Sequence, residues 1–220
     1  MPLGKKEVHV IKLATEADRI EAMKVLKATY RMEKNWVADE EKMFSAEDLE
    51  DEAVSWFLAF TDGEPVGVLR ILYNPPLELY NEYGFQQVGE GVDVEKFVSE
   101  HKIAEIGRFA VRPEYRQFMT VAAALMRTAV KETVERGFSH YITDVFEGEK
   151  HSPYEFHTRV MGFQLVATHD VGELNCPNRR LTLILDIKQA YNHLRRNKKY
   201  VFRLFTQGWA DSMHQMLLDE

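Results

Sequence analysis

The stretch Ala104-Glu105-Ile106-Gly107-Arg108-Phe109-Ala110-Val111-Arg112-Pro113-Glu114-Tyr115-Arg116 constrains the fold more than any other part of the chain. It is followed by the helical periodicity of Val121, Leu125 and Ala129. An apolar run of strand length, a proline-bearing turn and a pattern of period 3.6 succeed one another. A strand that enters a helix through a short turn presents unpaired N–H groups and a positive dipole end. Such a junction can hold a phosphate-bearing ligand.

The flanking patterns build a mixed layer around this unit. Val8 to Leu13 alternates as a strand, and Thr15 caps a helix running to about Tyr30. Arg31 to Glu52 is polar and irregular, with a short helix started by Ser45. Ala53 to Phe60 and Pro65 to Tyr73 form a hairpin through Thr61-Asp62-Gly63-Glu64, and Pro75-Pro76 ends it. Leu77 to Val92 is loop-rich, and Val94 to His101 is a short helix capped by Asp93. Ile103 to Val111 is the central strand, and Gln117 to Arg136 is a helix stopped by Gly137. His140 to Val145, Phe163 to Thr168 and Arg180 to Ile187 are strands, with a short helix from Pro153 to Met161 ended by Gly162. Lys188 to Phe205 and Trp209 to Leu218 are helices. The order predicts an α/β fold with helices on both sides of one sheet.

With 220 residues, 45% hydrophobic and 29% charged, and no Gly/Ser/Pro-rich linker, the chain reads as a single domain over 1–220, with 187–220 as a helical extension. The apolar runs fall short of the ~18 residues that cross a bilayer. Lys5, Lys6 and Glu7, followed by a strand pattern, do not read as a secretory signal, so the cytoplasm is expected. Cys176 stands alone, which predicts neither an internal disulfide nor a metal site. A net charge of −7 argues against a nucleic-acid binder. Lys188, Arg195, Arg196, Lys198, Lys199 and Arg203 nevertheless follow one another with no intervening acid. That run is either a solvated face or a dock for an acidic partner.

On the central strand, alternation puts Ile103, Glu105, Gly107, Phe109 and Val111 on one face and Arg108 on the other. A glycine inside a strand often marks a bulge, and a bulge at Gly107 would turn Arg108 toward the side of Glu105. It would also splay the strand from its neighbour and leave backbone groups free to pair with the amides of an extended ligand. Two readings fit the pair: a buried ion pair with no chemical role, or a catalytic carboxylate with its arginine.

The Glu-x-x-Arg-Phe-Ala-Val run of Glu105 to Val111 resembles the GNAT acyltransferase superfamily. It is most similar to the branch of acyl-homoserine-lactone (autoinducer) synthases and N-acyl amino acid synthases. Gly67-Val68-Leu69-Arg70 matches the Gly-x-x-Arg of that branch. Leu26 to Trp36 resembles its N-terminal Arg…Trp region, which points to Arg31 and Trp36 as pocket residues beside Arg70. Asp48 and Asp51 match its Asp-x-x-Asp spacing.

The resemblance implies a GNAT-like, mainly antiparallel central sheet and transfer of an acyl group, fatty acyl in this branch, from a phosphopantetheine thioester to the amine of a small molecule such as an amino acid. Glu105 is then the candidate base for the amine. A carboxylate partly buried beside Phe109 would have its pKa raised toward that task. Arg108 either fixes Glu105 or binds a substrate carboxylate. A strand N–H near Phe109 or Ala110 would stabilise the oxyanion. The donor would lie along Phe109, Ala110 and Val111, with its phosphate at Arg116, Gln117, Phe118, Met119, Thr120 and Val121.

That turn departs from the common superfamily pattern. Acetyl-CoA users show Gln/Arg-x-x-Gly-x-Gly/Ala there, whereas Arg116 to Val121 contains no glycine. Bulk at these positions suits a single phosphodiester, so the expected donor and partner is an acyl carrier protein, with acyl-CoA or acetyl-CoA as the alternative. The tyrosine that often protonates the leaving thiolate falls at Thr158, and His157 or Tyr154 would stand in for it. For a long acyl chain, Leu77, Leu79, Tyr80, Tyr83 and Phe85, with Trp56 or Phe109, would supply an apolar lining. Two other readings remain: an acetyl-CoA-dependent N-acetyltransferase, and a non-catalytic domain that binds an acyl ligand or a protein. No metal and no stable membrane insertion are expected.

Overall fold

The structure, a computed structural model, describes residues 7–76, 82–88, 94–116 and 119–218. Its strands are β1 (His9–Lys12), β2 (Val54–Thr61), β3 (Glu64–Tyr73), β4 (Gln86–Gln87), β5 (Ile103–Val111), β6 (His140–Phe146), β7 (Gln164–His169) and β8 (Arg180–Asp186). Its helices are α1 (Glu16–Leu26), α2 (Val94–Glu100), α3 (Thr120–Glu135), α4 (Tyr154–Phe156), α5 (Ile187–Asn197), α6 (Lys199–Thr206) and α7 (Asp211–Leu217). The eight strands form a mixed, mostly antiparallel sheet. The chain divides into two compact units, 1–72 with 107–130 and 73–106 with 131–220, so β5 and α3 each contribute to both.

In the first unit the strand order is β1-β2-β3-β5. The β2–β3 hairpin closes through Asp62 (φ 52°) and Gly63 (φ 80°), two successive left-handed residues that match the twist of the strands. Trp56, Phe57, Leu58 and Ala59 are all buried, as expected of a strand covered on both faces. Thr15 caps α1 with a reciprocal capping box: its hydroxyl accepts the Asp18 N–H, and the Asp18 carboxylate accepts the Thr15 N–H. The helix does not run to Tyr30 as an α-helix. From Lys27 to Glu33 it widens into a π-helical segment, a form associated with functional sites. Gly67 explains how α3 approaches the sheet. A Cβ there would lie 2.7 Å from Val121 Cγ1, 3.0 Å from Leu125 Cδ1 and 3.3 Å from the Ala110 carbonyl.

In the second unit the order is β5-β6-β8-β7-β4. The β5–β6 pairing is parallel over Ile103–His140, Ala104–Tyr141 and Glu105–Ile142, where the described ladder pairs stop. A side chain makes the next link: the Thr143 hydroxyl donates to the Ile106 carbonyl at 3.0 Å. Ile103 and Ile142 form a small core with Phe85, Phe97 and Ile184. Gly137 (φ 76°) ends α3 in a Schellman turn, with the Phe138 N–H donating to Thr133 and the Gly137 N–H to Val134.

The structure corrects two sequence expectations in this unit. The loop-rich 77–92 stretch contains β4, paired with β7. The stretch from Lys188 to Phe205 is two helices, broken at Lys198 (φ −132°, ψ 54°). Among the described residues, no helix is long and apolar enough to cross a membrane.

Candidate active site

The backbone of β5 leaves the extended region at Arg108 (φ 46°), not at the glycine before it. A side chain in the left-handed region costs about 1–2 kcal/mol, and such strain persists where the surroundings over-determine it. The Arg108 guanidinium donates from Nη2 to the Lys42 carbonyl at 2.9 Å. Tyr30 is buried. Burial raises its phenol pKa, and the charges of Arg108, Arg70 and Arg116 pull it back. The hydroxyl therefore stays protonated and points to the Phe109 carbonyl at 3.4 Å. The Trp36 ring meets Tyr30 edge-on at 5.7 Å.

The charges of Arg108, Arg70 and Arg116 thus act on Tyr30, and Trp36 packs against its ring. The π-helical segment presents Tyr30 inward and Arg31 outward. Arg31 is half-exposed and reaches Glu40 at 3.4 Å. Arg116 is engaged along its whole fork. Its Nε donates to the Val111 carbonyl at 2.6 Å, and Nη1 and Nη2 bind the two carboxylate oxygens of Glu33 at 2.7 and 2.6 Å. Ala110 and Val121 are buried, and Met119 and Thr120 are exposed at the start of α3. Gln117 and Phe118 lie outside the described residues, as do Leu77, Leu79 and Tyr80. Trp56 fills the core, stacked on Phe44 at 3.9 Å, and its indole N–H donates to Asp48 at 2.8 Å. Asp48 is therefore a structural acceptor, and Asp51 caps the Ala53 N–H at 2.8 Å.

Glu105 lies in the second unit. Its register partner is Ile142, and Asp144 two residues on shares that face of the sheet. Asp144 is held from two sides. Thr182 Oγ1 donates to Oδ1 at 2.7 Å, and His169 Nε2 lies 3.0 Å from Oδ2. His169 Nδ1 lies 2.7 Å from the Val171 carbonyl. With an oxygen beside each ring nitrogen, the charged imidazole is favoured more than in a free histidine. Burial opposes this, but the Asp144 hydrogen bond and charge and the Val171 carbonyl outweigh it and raise the pKa. Tyr83 stacks on His169 at 5.8 Å, and its phenol is pushed up by burial and then by the carboxylates of Glu173, Glu105, Glu82 and Asp144. Phe85 flanks the same imidazole at 6.2 Å.

His157 is packed inside this unit against Phe163 at 4.8 Å, and burial lowers its pKa to about 4. It is a neutral ring at physiological pH, not a charged substrate ligand. Sequence reasoning missed Tyr30 as a buried hydroxyl under arginine charge, Glu33 as the partner of Arg116, and the Asp144–His169–Thr182 array. The π-helical segment and the register of three distant strands create these sites, and neither leaves a local motif. Among the described residues, no group of three or more His, Cys, Asp or Glu side chains is placed to hold a metal.

Residues 9–163 match the model of the acetyltransferase (GNAT) family. Among solved structures, the fold is similar to FeeM, an N-acyl amino acid synthase from uncultured soil microbes. The two are 16% identical with a TM-score of 0.66, over 87% of this chain and 97% of that one. It is also similar to Arabidopsis thaliana NAA60 in complex with acetyl-CoA, at 15% identity and a TM-score of 0.57, over 82% and 99% of the two chains. An aminoglycoside 6'-acetyltransferase type Ii is 16% identical with a TM-score of 0.53, over 81% and 97%. No curated protein matches in sequence.

Proposed function

We propose that this chain, which belongs to the acetyltransferase (GNAT) family, is an N-acyltransferase that moves an acyl group from an acyl carrier protein thioester to the amine of a small carboxylate-bearing acceptor. The observation that carries the reading is the charge of Arg108 and Arg70 acting on the buried Tyr30 hydroxyl, while Arg116 is taken up by Glu33. Arginine charge beside a buried, neutral hydroxyl suits an anionic group, and an arginine fork recognises a carboxylate bidentately.

In the proposed step the neutral amine attacks the thioester carbonyl carbon. A C–N bond forms, the C–S bond breaks, and the amine proton passes to the Glu105 carboxylate. The sulfur leaves as a thiolate and takes a proton from solvent, which a thiol of pKa ~8.5 tolerates. Arg108 binds the acceptor carboxylate, and a strand N–H near Phe109 or Ala110 stabilises the oxyanion.

Two features favour a carrier-protein donor over free CoA. The turn after β5 has no glycine from Arg116 to Val121. The helices α5 and α6 expose Arg195, Arg196, Lys198, Lys199 and Arg203, with Tyr200 at 79% exposure among them. Carrier proteins are acidic, and a basic face attracts them. A second reading, acetyl transfer from acetyl-CoA, is favoured by the acetyl-CoA complex among the fold relatives.

The deciding experiment offers the purified chain acyl carrier thioesters and acyl-CoAs of increasing length, each with a mixture of amino acids and simple amines. Products are read by mass spectrometry. N-acyl amino acids formed from the carrier thioester, with carrier binding that weakens with salt, support the proposal. Transfer from acetyl-CoA alone would establish the second reading.

A further inference from the structure

A turn meant to cradle a polyanion offers unpaired cations, and this one does not. Arg116 is held fork to fork by Glu33 at 2.7 and 2.6 Å, each side chain only a quarter exposed. Arg112 Nη2 is held by Glu114 Oε1 at 2.6 Å, and Arg112 Nη1 reaches the Pro65 carbonyl at 3.4 Å. Both arginines of the turn therefore carry a carboxylate already. Lys34 Nζ lies 3.7 Å from the same Glu33 Oε1 that Arg116 Nη1 holds. Glu114 is half-exposed, and Glu33 ends the π-helical segment that also carries Tyr30.

We infer that Glu33 and Glu114 are donor-selectivity residues that set this turn against free CoA. The inference rests on the proposed use of a phosphopantetheine thioester. CoA brings a diphosphate and a ribose 3′-phosphate to the turn, whereas carrier-linked phosphopantetheine brings one phosphodiester. A carboxylate beside each arginine repels the first far more than the second, because each added phosphate charge meets the same two acids. A single phosphodiester needs only one arginine to exchange a carboxylate for a phosphate. The chain then avoids the abundant CoA pool by repulsion and acquires its donor through protein–protein contact.

The test is calorimetric titration of the full chain with CoA itself, which requires no turnover. In E33Q/E114Q, CoA affinity is expected to rise at least tenfold over wild type, about 1.4 kcal/mol. The ratio of CoA affinity to holo-carrier affinity should rise with it. The charge-keeping E33D/E114D variant should bind CoA as weakly as wild type. Should the double variant fail to fold, E114Q alone, altered at a half-exposed side chain, must move CoA affinity in the same direction. CoA affinity in the charge-removed variants at or below the wild-type value would overturn the inference, as would tight CoA binding by wild type. Absence of acyl transfer from every donor would instead refute the proposed function, and the titration outcome would stand apart from it.

Discussion

Replacing His157 with leucine removes one defined component of the protein's acid sensitivity. The imidazole is 8% exposed, stacked on Phe163, and its Nδ1 has no hydrogen-bond partner among the described residues. Burial lowers its pKa from 6.5 to about 4, so the folded state favours the neutral ring. A depressed pKa of this kind contributes stability that is complete above the unfolded value. That stability is lost as pH falls through the window from about 6.5 to about 4. One pKa unit corresponds to about 1.4 kcal/mol, so the whole window is worth about 3 kcal/mol, and moving from about pH 7 to about pH 5 costs about 2 kcal/mol. Against a typical total of about 5–15 kcal/mol this is a large share.

His140, also depressed, adds to the acid loss, and His169, raised, opposes it. Only the difference between wild type and His157→Leu isolates the one ring. Urea unfolding of both proteins at the two pH values gives that difference. Wild type should lose about 2 kcal/mol more than the variant. Parallel losses would mean that His157 is solvated or paired in the folded state and would refute the reasoning.

Gly67→Ala forces a methyl against Val121, Leu125 and the Ala110 carbonyl, and should cost about 1–3 kcal/mol, lowering Tm by about 2–4 °C per kcal/mol. An unchanged Tm in calorimetry would contradict the close approach of α3. At Arg108 the usual order of residues in a strand should invert. Arg108→Gly, free in the left-handed region, should be about 1 kcal/mol more stable than Arg108→Ala, while both lose acyl transfer. Equal stability of the two would show that the backbone is extended there. Asp144→Asn should destabilise the protein most at acidic pH, because the raised His169 pKa contributes stability present below its ordinary value and lost as pH rises through the folded one. A loss of equal size at high pH would indicate a neutral His169.

The parts of this fold that depend on local patterns were legible in the amino-acid order. The limits of β5 fall at Ile103 and Val111 as the apolar run implies. The Thr15 capping box, the Asp62-Gly63 turn and the Gly137 stop are each written in a few adjacent residues. Features set by tertiary context were not. The π-helical widening at Lys27–Glu33 has the same apolar spacing as an α-helix. The break at Lys198 carries neither glycine nor proline. The two-residue β4 exists only because β7 pairs with it. At the site, Arg70, Arg116 and Trp36 were identified through the family motif, but Tyr30, which feels the charge of the two arginines and packs on Trp36, was not, because its burial depends on the π-helical segment. The irregularity of the strand was expected as a bulge at Gly107, and the chain places a left-handed residue on Arg108 at a cost.

The most direct measurement is the steady-state rate of N-acyl amino acid formation by wild type and Glu105→Gln, with carrier thioester and amino acid supplied and thermal unfolding recorded alongside. If the Glu105 carboxylate is the base that takes the amine proton, the variant should unfold at nearly the wild-type temperature. Its turnover should fall by roughly 10²–10⁴-fold, the usual loss of general-base assistance. Turnover near the wild-type rate in a folded Glu105→Gln protein would contradict the account and leave Glu105 as a structural residue of β5.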